Sequence, residues 1–197
     1  MGAWVRQSNV TENDRDLVLV DRLLAGDSTA CDELVHRHQR YVFTIALRVL
    51  NDDADAQEVT QDVFMKAFKS LPSFQRTAKF TTWLYRIATN QAISKRRRKR
   101  PVTTQVEDYH ASSGEHDSLQ AMAGEERQVY IKQALAQLTA EDASLITLYY
   151  LEEMTLAEIS EILKQDASNL KVRLHRARKR LANKLQSLLA TEVTSLL

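Results

Sequence analysis

Cysteine is nearly absent from this chain. Cys31 is the only one in 197 residues, so no disulfide can close within the chain, and the usage suits a reducing cytoplasm. A lone thiol of this kind is expected to fill a small space in a core, with a redox switch the lesser reading. Glycine and proline are also scarce, at 4 and 2 residues, which disfavours many-turned β architectures and favours helices. No apolar run approaches a membrane span, and residues 1–15 lack an apolar leader-like stretch. A chain that is neither membrane-inserted nor secreted is therefore expected. A constellation for chemistry is missing too. Asp55, Glu58 and Asp62 are spaced three and four apart, so they share one helix face, but no nearby nucleophile or further ligand completes a site. His36 and His38 stand two apart on a helix and point away from each other, as surface or boundary residues do. No catalytic residue, metal, cofactor or small-molecule substrate is expected, and the chain is not read as an enzyme.

Charge is plentiful and unevenly placed. Lys and Arg number 27 against 26 Asp and Glu, for a formal net charge of +1. Taken alone, that balance argues against a nucleic-acid partner. The distribution reverses the reading. Lys95 to Arg100 are six consecutive cations, and Lys171 to Lys184 supply seven more, with no acid in either stretch. Setting these 13 aside leaves 14 basic residues against 26 acidic ones. The chain is an acidic body with two basic patches, and such a body also suits a basic protein partner.

Hydrophobic periods of 3.6 divide the chain into helices. Residues 1–15 are polar and expected to form a disordered tail. A first domain is expected over residues 16–100. It opens with a short helix over 16–25, with Leu17, Val20, Leu23 and Leu24 inward. A long helix to about Leu50 follows, with Cys31, Leu34, Val35, His38, Val42, Ile45, Ala46 and Val49 on one side. The third helix is capped by Asp52 or Asp53 and stopped by Pro72, and it buries Ala56, Val59, Val63, Ala67 and Leu71. The fourth runs from Phe80 to about Arg97, with Trp83, Leu84 and Ile87 as core. Its Tyr85, Arg86, Thr89 and Asn90 cannot all share that face. Aromatic, amide and cationic groups leading into Lys95–Arg100 suit a single strand whose bases stack and whose phosphates are neutralised. Residues 101–124 hold Pro101, Gly114, Gly124 and several acids, and read as a flexible acidic linker. A second domain is expected over residues 125–190, beginning with amphipathic helices over Glu125–Leu138 and Glu141–Leu151. The fold class is therefore all-α: two small helical domains joined by a flexible acidic linker.

The second domain contains a helix-turn-helix. Thr155 and Glu158 make a capping box that starts its first helix, whose apolar face is Leu156, Ile159, Ile162 and Leu163. Asp166 suits the cap of the second helix. On that helix Leu170, Leu174, Ala177, Leu181 and Leu185 form one buried stripe, and the remaining faces are basic. A solvated face normally mixes signs for pairing at i,i+4, and this one does not. Entry into a DNA major groove explains the pattern. Beyond Leu185 the apolar pattern continues through Leu188, Leu189, Val193, Leu196 and Leu197, with no partner evident in the sequence.

Three motifs in this order resemble a family. They are Asp55–Phe64 (DAQEVTQDVF), Phe80–Asn90 (FTTWLYRIATN) and Lys171–Arg178 (KVRLHRAR). Together they make the chain similar to bacterial extracytoplasmic-function (group IV) RNA polymerase sigma factors over about Leu17 to Leu185. The resemblance implies a cytoplasmic factor that directs core RNA polymerase to promoter DNA for a stress regulon, held in check by an anti-sigma factor. It implies core-polymerase contacts at Asp55, Glu58, Gln61, Asp62 and Met65. It implies minus-ten DNA contacts at Lys79, Thr82, Tyr85, Arg86, Thr89, Asn90, Lys95, Arg96 and Arg97. Minus-thirty-five contacts are implied at Ser168, Asn169, Lys171, Val172, Arg173, His175, Arg176 and Lys179. One departure lies in the helix-turn-helix, where the family usually has Gly at the position of Lys164. A left-handed lysine is costly, so the turn is expected to differ locally or to be shifted. A two-domain transcriptional repressor or activator that never touches the polymerase, a nucleic-acid enzyme and a protein-binding module are the rival readings. The first lacks a pocket or dimer helix, the second a nucleophile or metal cluster, and the third leaves both basic patches unexplained.

Overall fold

The structure is a computed structural model that describes residues 11–99 and 124–195, with side chains of the second stretch described over 127–191. Most of the expected tail (residues 1–10), Arg100, the expected linker up to residue 123, and the terminal Leu196 and Leu197 lie outside the described residues, and Gly124 opens a helix. Among the described residues there are eight α-helices and no strand. Helix α1 (Glu12–Leu24) begins at a capping box, in which the Asp14 amide donates to Thr11 Oγ1 at 3.2 Å and the Thr11 amide to Asp14 Oδ2 at 3.0 Å. The helix thus starts within the stretch expected to be tail. Its inner face is Asp16, Leu19 and Val20, while Leu24 is exposed. Asp16 turns that face inward by meeting two partners from α2 (Thr29–Leu50): Arg37 Nε donates to its Oδ1 at 3.0 Å, and His38 Nε2 lies 3.0 Å from the same oxygen. His38, expected at the surface or boundary, is buried and faces the Phe80 ring at 5.6 Å.

Helix α3 (Asp53–Ser70) is capped by Asp52, whose Oδ1 accepts from the Asp55 amide at 2.9 Å. Its stripe of Ala56, Val59, Val63, Ala67 and Leu71 is buried as the period requires. A short 3₁₀ turn at Leu71–Ser73 follows, then α4 (Phe80–Lys99). Helices α1 to α4 enclose a core centred on Leu34, Ile45, Phe80 and Leu84. Each such side chain contributes about 1.5–3 kcal/mol on burial.

The second unit holds α5 (Gly124–Gln137), α6 (Ala140–Ile146), α7 (Leu156–Leu163) and α8 (Ala167–Ser195). Thr139 caps α6, accepting from the Asp142 amide at 3.2 Å. After α6 a π turn spans Thr147–Leu151, closed by the Glu152 amide on the Thr147 carbonyl at 3.0 Å. The Thr155–Glu158 capping box starts α7, and Asp166 Oδ1 accepts from the Ser168 amide at 2.8 Å to start α8. The turn between them is not shifted. Lys164 itself takes the left-handed conformation, with φ 54° and ψ 43°. Ser160 supports it, its hydroxyl donating to the Gln165 carbonyl at 2.6 Å.

The two units lie against each other. One buried hydrophobic cluster runs from Leu19 and Val20 of α1 through α4 into Leu135, Leu145, Ile159 and Leu170. A smaller cluster joins Tyr130 and Ala134 of α5 to Leu185, with Leu188 and Leu189 packed on it. That is the partner of Leu188 and Leu189, while the side chains of Val193, Leu196 and Leu197 lie outside the described residues. No helix among the described residues is long and apolar enough to cross a membrane.

Candidate nucleic-acid interface

Helix α8 presents two opposed faces. Leu170, Leu174, Ala177 and Leu185 are buried, while Ser168, Asn169, Lys171, Val172, His175, Arg176 and Lys179 are exposed. Ser168 and Asn169 sit at the N-terminus of the helix, where their amides and the Ser168 hydroxyl donate to the Asp166 cap. Val172 is 52% exposed, an apolar group amid cations. Arg173 is different from its neighbours. It turns inward and its Nε donates to Asp142 Oδ1 at 3.2 Å. Arg180 donates from Nη1 to the other oxygen of the same carboxylate at 2.6 Å. Asp142 is buried and was not singled out by its residue type. Its position carries a signal, because it stands one turn before Leu145 on a short helix that is buried almost throughout.

Helix α4 is more enclosed than its sequence suggests. Asn90 is exposed and Arg86 half-buried, but Thr82, Tyr85, Thr89 and Arg96 are buried. Tyr85 packs on Tyr41 with ring centroids 6.2 Å apart. Burial pushes its phenol well above the usual tyrosine range, and the nearby Tyr41 and Glu152 act the same way. The hydroxyl therefore stays neutral. Arg96 donates to the Val49 carbonyl at 2.8 Å, the Ala136 carbonyl at 3.0 Å and the Leu138 carbonyl. It thus ties α2 and α4 to the end of α5. Arg97 pairs with Glu141, and Lys79 Nζ lies 3.5 Å from Glu158 Oε1. Three of the nine residues proposed for the minus-ten element therefore bridge the two units, and three more are buried.

The acidic face of α3 is partly neutralised from within. Lys95 Nζ lies 3.3 Å from Asp55 and 2.6 Å from Glu58, and Lys99 pairs with Asp55. The hydrogen bond from Lys99 holds the Asp55 carboxyl below its ordinary range, against the opposing effect of burial. Glu58 and Gln61 remain exposed, Asp62 is half-buried, and Met65 is 64% exposed. Glu58, Asp62, Gln91, Lys95, Arg98 and Lys99 line a shallow depression between α3 and α4. Among the described residues no cluster of His, Cys, Asp or Glu could hold a metal ion.

The sequence matches the Sigma-70 region 2 family over residues 34–102 and the Sigma-70 region 4 family over residues 125–181. It is 30% identical to the RNA polymerase sigma-H factor of Pseudomonas aeruginosa over 186 residues, covering 89% of this chain and 96% of that one. It is 30% identical to the ECF RNA polymerase sigma-E factor of Escherichia coli K12 over 190 residues, covering 91% and 99%. Among solved structures, CnrH in complex with the cytosolic domain of CnrY aligns at a TM-score of 0.66 and 23% identity, over 88% of this chain and 99% of that one. RpoE from Bartonella quintana, in complex with the anti-sigma factor NepR, aligns at 0.59 and 24%, over 79% and 96%. These two establish likeness of fold. With both regions matched in order and near-full-length relatives at this identity, the chain belongs to the extracytoplasmic-function RNA polymerase sigma factors.

Proposed function

We propose that the chain binds core RNA polymerase, places it on a promoter and opens the DNA there, with residues 16–100 and 125–190 as its two working parts. The observation that carries this is the outer face of α8. It is basic, free of acids from Lys171 to Lys184, and set on a helix-turn-helix whose buried stripe is apolar. Val172, His175, Arg176 and Lys179 fall on one side of that helix, where a major groove would receive them. Ser168, Asn169 and Lys171 flank the entry point. On the first unit, Glu58, Gln61, Asp62 and Met65 form an exposed acidic surface with one apolar side chain, suited to a basic groove on the polymerase, and Asp55 lies behind them.

Asn90, Arg86 and Lys79 are placed to meet an unpaired minus-ten strand directly. Thr82, Tyr85, Thr89 and Arg96 reach it once the second unit moves off α4. Lys95 and Arg97 then exchange carboxylate partners for phosphates. An anti-sigma factor as partner follows from family membership and from the relative solved in complex with one. The family's role is to direct initiation, and catalysis of RNA synthesis belongs to the polymerase.

Run-off transcription with core polymerase on a promoter library tests the proposal. Transcripts that start at defined sites only when the chain is present are expected. A chain that binds DNA but leaves core polymerase unchanged in start-site choice would instead be a separate regulator.

A further inference from the structure

Asp142 stands at a point that no DNA contact explains. It is 2% exposed, lies on α6 outside the helix-turn-helix, and takes both ends of a two-armed grip from α8. Arg173 and Arg180 are seven residues apart, two helical turns and roughly 10 Å along the axis. At roughly 100° per residue they point almost the same way. The buried stripe of Leu170, Leu174 and Ala177 lies to one side of that direction. The exposed set of Val172, Arg176 and Lys179 lies to the other, opposite the stripe. The two arginines are therefore shoulders, placed where a small roll of α8 would move them most. An apolar stripe alone resists separation strongly and roll weakly, because burial is non-directional. Two charge-assisted hydrogen bonds to one fixed carboxylate are directional.

We infer that Asp142 is a positioning residue for promoter reading. It sets the rotation of α8 about its own axis, so that Val172 and Arg176 meet defined base edges. It also cancels charge that would otherwise attract phosphates without regard to sequence. Of the seven cations from Lys171 to Lys184, Arg173 and Arg180 are drawn to the carboxylate. Arg173, which the family resemblance would assign to DNA, acts through α6 instead. The outward set that remains reads base pairs: Arg176 has the fork for a guanine, and Val172 the apolar surface for a thymine methyl. The inference rests on the reading of α8 as the minus-thirty-five helix.

The test uses the full chain assembled with core polymerase and selected on duplexes randomised at the minus-thirty-five element, at two salt concentrations. Asp142→Asn keeps the shape and removes the charge. Its sequence preference is expected to flatten at the pairs under Val172 and Arg176. Its salt slope is expected to steepen by about 0.9 for each guanidinium that turns to a phosphate. A merely structural loss lowers binding to all sequences and leaves both quantities unmoved. Arg180→Gln, at a half-exposed position, supplies the second arm if Asp142→Asn fails to fold. It should loosen the preference without steepening the slope. If Arg180→Gln only makes the slope shallower and keeps the preference, Arg180 is a phosphate contact and the positioning role is overturned. The same follows if Asp142→Asn folds with wild-type preference and slope. If wild type itself shows no sequence preference, the reading of α8 has failed first, which separates the two failures.

Discussion

Lys164 shows how much a single backbone angle can carry. Its φ of 54° lets the chain reverse between α7 and α8, and an L-residue held there costs roughly 1–2 kcal/mol. Glycine relieves that strain but loses more freedom on folding, by roughly 0.5–1 kcal/mol. Lys164→Gly is therefore expected to stabilise the protein by about 0.5–1 kcal/mol, read as a higher denaturation midpoint at unchanged slope. The outer face of α8 yields a sharper pair of variants. Arg176→Ala should relax preference at one or two minus-thirty-five positions, because a bidentate arginine–guanine contact carries roughly 1–3 kcal/mol of discrimination. Lys179→Ala should weaken binding to all sequences alike and reduce the salt slope by about 0.9. Selection on a randomised element at two salt concentrations separates them. Residue type made this face legible, since apolar spacing alone fixes which side of α8 is out. It did not make Arg173 legible. An arginine on a basic helix looks like its neighbours until the acid it meets, 31 positions earlier, is in place.

At the scale of elements, the basic run and the acidic face turned out to be partners before they meet anything else. Lys95 and Lys99 stand one turn apart on α4 and reach Asp55 on α3, and Lys95 also holds Glu58. The Asp55 carboxyl is depressed by these partners, with the Lys99 hydrogen bond foremost. The stability it contributes is therefore present above the unfolded value of about 3.9 and disappears as pH falls through the lower folded value. The thermal midpoint of the wild type should fall on acidification below about pH 4, and Asp55→Asn should flatten that limb while lowering the midpoint at neutral pH. A variant whose acid limb parallels the wild type would remove this pair from the account. The helices themselves were readable from their apolar stripes, and α3, α7 and α8 also carry their own caps. The capping boxes at Thr155 and the buried set of α3 come from neighbours in sequence. The start of α1 was not read, because Thr11 and Asp14 stand in a polar stretch without an apolar period. The burial of Asp16 was hidden because it depends on two helices meeting, whereas His38 already falls on the apolar side of α2.

At the scale of the whole molecule, the two units share a core across α4, which the composition of the linker does not suggest. Arg96 is central to that closure. It is 8% exposed and serves carbonyls on both sides, and hydrogen bonds to a charged donor contribute about 1.5–3 kcal/mol each. A sequence of six cations gives no hint that one of them is buried, although Arg96 does fall on the inward period of Tyr85, Thr89 and Ala92. Arg96→Ala is expected to let the units part. Small-angle scattering should then show a larger radius of gyration with far-ultraviolet helix content unchanged. An unchanged radius would mean that the apolar cluster alone holds them.

The π turn at Thr147–Leu151 has a consequence in the currency of codons. It closes with an i to i+5 bond, so this segment holds one residue more than an α-helix would need. Loss of one codon there would let the ladder relax to ordinary helix, and the bulge itself would absorb the missing residue. Met154, the Thr155 cap and the whole reading face would keep their places. Tyr150 is exposed, and Tyr150→Ala should transcribe nearly as well as wild type. Deletion of Tyr150 should likewise keep promoter-specific transcripts in a run-off assay, so that at this place chain length is inherited as loosely as side-chain identity; loss of those transcripts would show that the bulge does not absorb the residue.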